Sequence, residues 1–379
     1  MRLLHVHDRA EFQGGVEQIL FDTAKGLAAR GWPQALLSQQ SSPDSEYIRP
    51  FECTAAERSI IRDFQPDVIM MHKVSDTGLI AELARSAPAA HMVHDHDMVC
   101  PRRHKYFPVG HAACNLPAGM ACYTHLCCVQ RSDDGARLPI RIKGAGEVRR
   151  QLRATRQVRR FLVGSAYMQR ELEINGIPAD RIRVVHPVPA ALQTPEYREM
   201  SSLREILFVG QIIRGKGVDL MLRALARLKG KWHATIVGDG NHLGDCRALA
   251  SRLGIGDRVK FTGWIDHQEL DGYYSAARLV VVPSRWPEPF GMVGIEAMSR
   301  GRPVVAFDSG GISDWLNTGV SGFLAPAADI DAMASAIQKL LGDVALARKM
   351  GQAATEHVRQ SFSHQVYLDQ VTEQLENIR

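Results

Sequence analysis

Two carboxylates with seven residues between them, Glu288 and Glu296 in RWPEPFGMVGIEA, are the sharpest chemical signal in the chain. PFG follows the first, and a helix is expected from about Met292, so Glu288 stands near the helix entrance and Glu296 one turn and more along it. A carboxylate accepts through two oxygens, and two placed in this way can each take a pair of sugar or ribose hydroxyls. A lone Glu pair on a helix is ordinarily a solvated face; PEPFG and the downstream FDSGG shift the balance to a ligand site.

EILFVGQIIRGKGVDLMLRAL reads as a strand, a glycine-bearing turn and a helix opening near Gly217. Gly210 and Gly217 permit close backbone approach, the helix start offers unpaired N–H groups, and Arg214 and Lys216 add positive charge where a diphosphate would sit. The spacing is not that of a phosphate-binding P-loop, and such a turn is more often purely structural. FDSGGISDWL supplies Gly310 and Gly311 at another strand-to-helix turn, either as backbone donors or as a tight bend.

In the first half, Gly14 and Gly15 lie between a strand and a helix, and AHMVHDHDMVCPRRHKY places His94 and Asp95 at a strand end. His5, His7, His94 and His96 with Asp8, Asp95 and Asp97 also resemble a metallohydrolase ligand set, an alternative that leaves Glu288 and Glu296 unexplained. Cys100, Cys114, Cys122, Cys127 and Cys128 crowd a Gly- and Pro-rich loop over 98–130 without a Cys-x2-Cys knuckle. Zinc or an iron–sulfur cluster on Cys100, Cys114, Cys122 and Cys127, free or buried thiols, and a disulfide are the three readings of that loop.

Residues 137–160 hold nine Arg or Lys against Glu147 alone, a local charge of +8 in a chain of +5. A helix over 146–162 is expected, with Val148, Leu152, Val158 and Leu162 in one stripe and Arg149, Arg153, Arg156 and Arg160 beside it. Such a basic amphipathic helix suits an anionic membrane surface and a lipid-linked acceptor, or is an ordinary cationic surface helix. Nucleic acid is not expected, because no aromatic platform accompanies the charge. A noncatalytic thiol-metal protein with a basic binding surface is a further alternative.

These residues need a scaffold, and composition allows one: 379 residues, 45% hydrophobic and 23% charged, suit a folded chain of two or three domains. Short apolar runs alternate with helix-length amphipathic stretches, the pattern of parallel sheets covered by helices. The strands read RLLHVH, QALLS, DVIMMH, AHMVH, FLVGS and IRVVH, and a second series restarts with EILFVG, HATIVGDG, VKFTGW, LVVVPS and PVVAFD. The proline-bearing stretch between the series puts the domain boundary near 190: residues 1–189, 190–361 and a C-terminal helix over 362–379 expected to pack back on the first domain. No apolar run approaches a membrane span and the start lacks a secretion signal, so the expected location is cytoplasmic, at most peripheral on the membrane's cytoplasmic face.

Taken in order, FVGQIIRGKGVD, VGDG, FTGWIDHQELDGYYSAARLVVVPS, the Glu288-x7-Glu296 motif, GGISDWL and SGFLAP resemble the nucleotide-sugar half of retaining GT-B glycosyltransferases, family 4 (glycosyl transferases group 1). The resemblance covers nearly the whole chain. It implies an α/β protein of GT-B architecture, two Rossmann-like doubly wound parallel-sheet domains facing across a cleft, the second for the donor and the first for the acceptor. By position it implies that Glu288 meets donor-sugar hydroxyls near the reacting centre, His94 lies near the transferred sugar, Lys216 takes the diphosphate and Glu296 the ribose. Phe290, Gly291 and Met292 would supply backbone near the phosphates and sugar, Ile265 the base contact, and Gly14, Gly15, Gly210, Arg214 and Gly238 the remaining donor surface. Arg102, Arg103 and Lys105, with Arg149, Arg153, Arg156 and Arg160, are the expected acceptor-side or membrane-facing charges.

Two positions depart from the family pattern: Gln211 where Arg is usual, and Asp314 where Glu is common. The implied reaction moves a hexosyl group from a nucleoside diphosphate sugar to a saccharide or lipid-linked acceptor with retention, in cell-surface polysaccharide or glycolipid synthesis. No cofactor is required for that chemistry, and a metal at the cysteines would be structural.

Overall fold

The structure is a computed structural model that describes residues 1–12, 14–39, 44–110, 112–131, 140–142, 144–192, 195–200, 203–266 and 269–379. The chain divides into two compact units, one of Met1–Gly110, Cys114–Ala190 and His364–Arg379, the other with Ala191–Ser363 as its body. Among the described residues fifteen strands run in chain order: β1 (Leu3–His7), β2 (Gln34–Ser38), β3 (Cys53–Ala55), β4 (Val68–Met71), β5 (Ala89–Val93), β6 (Val129–Arg131), β7 (Ile140–Ile142), β8 (Arg160–Val163), β9 (Ile182–Val184), β10 (Glu205–Val209), β11 (His233–Val237), β12 (Val259–Gly263), β13 (Leu279–Val282), β14 (Val304–Phe307) and β15 (Gly322–Ala325).

The first unit carries a parallel sheet in the order β3-β2-β1-β4-β5-β8-β9, and the second a sheet in the order β12-β11-β10-β13-β14-β15. Parallel strands buried on both faces must be apolar throughout, and LVVV of β13 and VVAF of β14 are buried at every position. β1, LLHVH, is equally buried, so His5 and His7 enter a core that admits histidine only in its neutral form.

Each of the eleven strands read from the sequence has its counterpart. The short edge strand β3, the antiparallel pair β6 and β7 and the last strand β15 were not among them. The last helix, His364–Glu376, belongs to the first unit, where Tyr367 Oη lies 2.7 Å from Thr23 Oγ1 and Arg30 donates to Asp369 at 2.6 Å.

The basic helix over 146–162 requires correction. The helix is Ala145–Ala154, a 3-10 turn takes Thr155–Gln157, and Arg160 already belongs to β8. The apolar stripe that seemed to continue through Val158 and Leu162 is the approach to a buried strand; both are fully buried, and Arg160 turns to the Asp180 carbonyl at 3.0 Å. Among the described residues no helix is long and apolar enough to cross a membrane.

Candidate functional site

In the second unit β10 has β11 on one side and β13 on the other, so the loops leaving β10 and β13 diverge and open a crevice at the carboxyl edge of the sheet. The two loops are locked together by backbone. Gly217 has φ +70°, a Cβ there would lie 1.9 Å from the Pro283 carbonyl oxygen, and Arg285 and Trp286 donate their N–H groups to Gly215 O at 3.0 and 3.1 Å. Only glycine meets both demands at 217, which explains the GKG spelling.

This junction brings Lys216 Nζ to 2.7 Å from Glu288 Oε1 and 5.2 Å from the ring centre of Trp286. The Ser284 hydroxyl donates to the same oxygen. Glu288 is 4% exposed, and its backbone is clamped as well: Gly311 N–H donates to Glu288 O at 2.7 Å. At Gly310, with φ +68°, a Cβ would meet that oxygen at 2.3 Å. The crevice therefore holds a fixed carboxylate beside a fixed cation.

From there Phe290, buried, and Gly291, in the left-handed region at φ +94°, lead into the helix Met292–Ser299. Trp315 Nε1 donates to Phe290 O at 2.7 Å and its ring packs against Gly294, holding the helix entrance in place. Met292 is half-buried, and half-buried Glu296 accepts from the Tyr274 hydroxyl at 3.1 Å. On the other side, a Cβ at Gly238 would fall 1.9 Å from Gly210 O, so these two glycines let the β10 and β11 loops touch. Ile265 is half-buried just after β12, whereas Arg214 and Gln211 are exposed and Asp314 is half-buried in a 3-10 turn. A separate cavity lined by Glu205, Leu207, Thr235 and Tyr273 lies away from these loops and holds none of the expected site residues.

The first unit has its own reversal of strand order, between β1 and β4. Gly14 caps the helix Gly15–Ala29 in an extended conformation that any residue could adopt, with no side-chain cap, so what glycine contributes there is room at the helix N-terminus. His94 follows β5, half-buried, its Nε2 3.0 Å from His72 Nδ1, and burial lowers its pKa to about 3. Asp95 pairs with Lys73 at 2.6 Å.

The histidines do not form the alternative hydrolase centre. His5 spends both ring nitrogens on His72 and Gln34, at 3.2 and 2.8 Å, and His96 lies against Tyr167 with Nε2 3.2 Å from its hydroxyl. Among the described residues no group of three or more His, Cys, Asp or Glu is disposed to hold a metal ion. That holds for the cysteines too: Cys100, Cys114, Cys122 and Cys127 are free thiols, and burial, then the neighbouring thiols, pushes Cys127 up to about 11.

Lys105 also requires correction. It is 2% exposed, paired with Glu171 at 2.8 Å and donating to Leu116 O at 2.7 Å, so it anchors the cysteine loop and faces neither an acceptor nor a membrane. Arg102 is half-buried near the Tyr106 ring, while Arg103, Arg149, Arg153 and Arg156 are exposed. Sequence reasoning missed Ser284, Trp286 and Trp315 around Glu288; PSRWPEPFG carried the first two, but nothing marked Trp315 beyond its place after the GG pair.

Known proteins bear on this geometry. A model described as Glycosyltransferase Family 4 matches residues 13–188, and one described as Glycosyl transferases group 1 matches 194–357, together nearly the whole chain. The chain belongs to the group 1 glycosyltransferases. A D-inositol 3-phosphate glycosyltransferase of Catenulispora acidiphila is 34% identical over 210 residues, 49% of this chain and 49% of that one. The chain spans about half the length of the curated relatives it matches. Among solved structures, a sucrose-phosphate synthase of Thermosynechococcus elongatus superposes with a TM-score of 0.74 at 21% identity, covering 100% of this chain and 99% of that one. The Anabaena protein HepE in complex with UDP-glucose gives 0.73 at 19%, covering 100% of both. The fold of this group 1 glycosyltransferase is accordingly GT-B, two Rossmann-like parallel sheets of seven and six strands.

Proposed function

We propose that this chain transfers a hexosyl group from a nucleoside diphosphate sugar to a saccharide or lipid-linked acceptor, with retention of anomeric configuration. The observation that carries the reading is the Lys216–Glu288 pair at 2.7 Å in the crevice between the β10 and β13 loops. The main chemical burden is departure of a diphosphate from an oxocarbenium-like centre, and fixed positive charge and backbone dipoles at the leaving oxygen lower that barrier. Lys216 supplies the charge, and the helix entrance at Gly291 and Met292 supplies N–H groups that no side chain caps.

Glu288 receives sugar hydroxyls through Oε2, the oxygen that neither Lys216 nor Ser284 engages, and Glu296 receives the ribose. In the first unit, the Gly14–Gly15 amides are assigned to phosphate and His94 to the transferred sugar. Retention follows from attack on the face the diphosphate leaves, with the departing phosphate taking the acceptor proton, so no protein base is needed.

A lipid-linked acceptor at an anionic membrane is favoured by one further observation. Met120, Leu126 and Ile142 are each more than half exposed, and the loop carrying the first of them packs on the basic helix, Gly119 beside Arg149 and Tyr123 beside Gly144. Exposed apolar side chains beside a basic helix are what an interfacial surface needs.

The test is to screen UDP-, GDP-, ADP- and dTDP-glucose by thermal shift, follow sugar release by mass spectrometry, and read the anomeric configuration of any product by NMR. Stabilisation by one nucleotide class with a retained product supports the reading. An inverted product removes the same-face mechanism, and silence with every donor removes the transferase.

A further inference from the structure

A row of polar side chains crosses the core of the first unit on four adjacent strands or their ends: Gln34 on β2, His5 on β1, His72 after β4 and His94 after β5. Gln34 is 1% exposed, His5 0% and His72 1%. Their contacts run end to end: Gln34 Oε1 to His5 Nε2 at 2.8 Å, His5 Nδ1 to His72 Nε2 at 3.2 Å, and His72 Nδ1 to His94 Nε2 at 3.0 Å. Neighbouring rings lie within 17° and 15° of parallel. His91 Nε2 donates to the His72 carbonyl at 2.8 Å and braces the middle of the row.

The direction of this row is fixed from its far end. Gln34 Nε2 lies 2.6 Å from Ala24 O, and a carbonyl can only accept, so the amide nitrogen faces it and Oε1 faces His5. His5 must then carry its proton on Nε2. Burial keeps His5 and His72 neutral, and a neutral imidazole has one N–H, so His5 Nδ1 is a bare acceptor. His72 meets it with Nε2–H and turns its own bare Nδ1 to His94, which must answer with Nε2–H. The remaining nitrogen, His94 Nδ1, is left as a lone pair.

We propose that Gln34, His5 and His72 are positioning residues that fix the tautomer of His94 and present its Nδ1 as a hydrogen-bond acceptor to a hydroxyl of the donor sugar. The inference rests on the assignment of His94 to the transferred sugar. It adds a selectivity: the group that meets Nδ1 must be able to donate, so a hydroxyl is accepted and a carboxylate, which can only accept, is turned away.

The test uses the full chain with 15N-labelled histidine and two variants of Gln34, two rings away from His94. In the wild type, His94 should show a protonated Nε2 and an unprotonated Nδ1. Gln34→Leu removes the acceptor that polarises the row, and His94 should become a mixture of tautomers. Gln34→Glu, buried and protonated, can keep a carbonyl toward His5 and an O–H toward Ala24, and should restore the single tautomer. With whichever of UDP-, GDP-, ADP- and dTDP-glucose binds best, Gln34→Leu should lower the preference for the nucleotide sugar over the bare nucleotide about fivefold and leave nucleotide binding unchanged.

An Nδ1–H tautomer in the wild type overturns the relay, as does a Gln34→Leu protein, folded by circular dichroism, whose His94 is unchanged. If Gln34→Leu does not fold, the wild-type spectrum and Gln34→Glu decide. The predicted tautomer together with unaltered sugar preference in His94→Ala overturns the sugar contact instead, so the two failures are told apart.

Discussion

Lys216 Nζ and Glu288 Oε1 stand 2.7 Å apart across 72 residues of sequence because β10 and β13 are neighbours whose loops leave the same edge of the sheet. The two partners are not equivalent: the Glu288 side chain is 5% exposed and that of Lys216 is 25%. The carboxylate is the group that depends on its neighbours, and the lysine is the group with a path to a ligand.

That asymmetry separates two substitutions. Lys216→Met leaves a buried carboxylate with Ser284 as its remaining side-chain donor, and stability should fall by about 1–3 kcal/mol, less than for a fully buried pair because the lysine is partly solvated. Glu288→Gln keeps an acceptor for Ser284 and should melt near the wild-type temperature. Both should lose about 100-fold or more in sugar transfer, measured as initial rates with the donor the screen selects. A Glu288→Gln protein that transfers at the wild-type rate would falsify the site assignment.

Gly294 tests whether the helix entrance is positioned by Trp315. A Cβ at 294 would lie 2.0 Å from the Trp315 ring, and that ring's N–H holds Phe290 O. Gly294→Ala should cost about 1–3 kcal/mol by overpacking and weaken nucleotide binding as the 290–292 backbone shifts. Gly272→Ala is the control, because a Cβ there meets nothing within 4 Å and the substitution adds helix propensity. Calorimetric titration with the selected nucleotide should register the first and not the second.

How much of this the sequence disclosed depends on range. Glu288 and Glu296 were legible because loop and helix fall within one short segment, and strands such as LVVVPS were legible because burial on both faces demands an unbroken apolar run. The end of the basic helix was not: Val158 and Leu162 fall on the helical stripe by coincidence of spacing, although FLVGS also reads as a strand, and pairing with β5 and β9 gives Arg160–Val163 to the sheet. Lys105 read as one more loop cation because its partner, Glu171, lies 66 residues on. The row from Gln34 to His94 was hidden for the same reason, since periodicity within a strand says nothing about which strand lies beside it.

Acid should unfold the first unit early. Burial lowers His5 and His91 to about 4 and His94 and His96 to about 3, and holds His72 well below its usual range. The unfolded chain binds protons at these rings from about pH 6.5 downward and the folded chain does not, so their stabilising effect is complete above that pH and lost as pH falls toward 4. Each contributes a slope of up to about 1.4 kcal/mol per pH unit, moderated near His94 by Asp95 and near His7 by Glu17 and Asp8, with Lys73 opposing that moderation at both. Melting temperatures at pH 7.5, 6.5, 5.5 and 4.5 should fall increasingly steeply below 6.5; a flat profile to pH 5 contradicts neutral, buried rings.

The cations around the cysteine loop should separate by burial. Lys105 and Glu171 have side chains 1% and 4% exposed, so Lys105→Met strands a carboxylate whose pKa burial already raises, and should cost about 3 kcal/mol or more. It should not change binding to vesicles, because the charge it removes never reaches the surface. Arg149, Arg153 and Arg156 are exposed, and each basic side chain near an anionic bilayer is worth about 1 kcal/mol. Replacing all three with Glu should therefore leave the melting temperature within a few degrees and weaken binding to phosphatidylserine-containing vesicles by tenfold or more in a sedimentation assay. Equal binding by the wild type and the triple variant would mean that the arginines are a solvated face and would return the apolar side chains of the loop to some other partner.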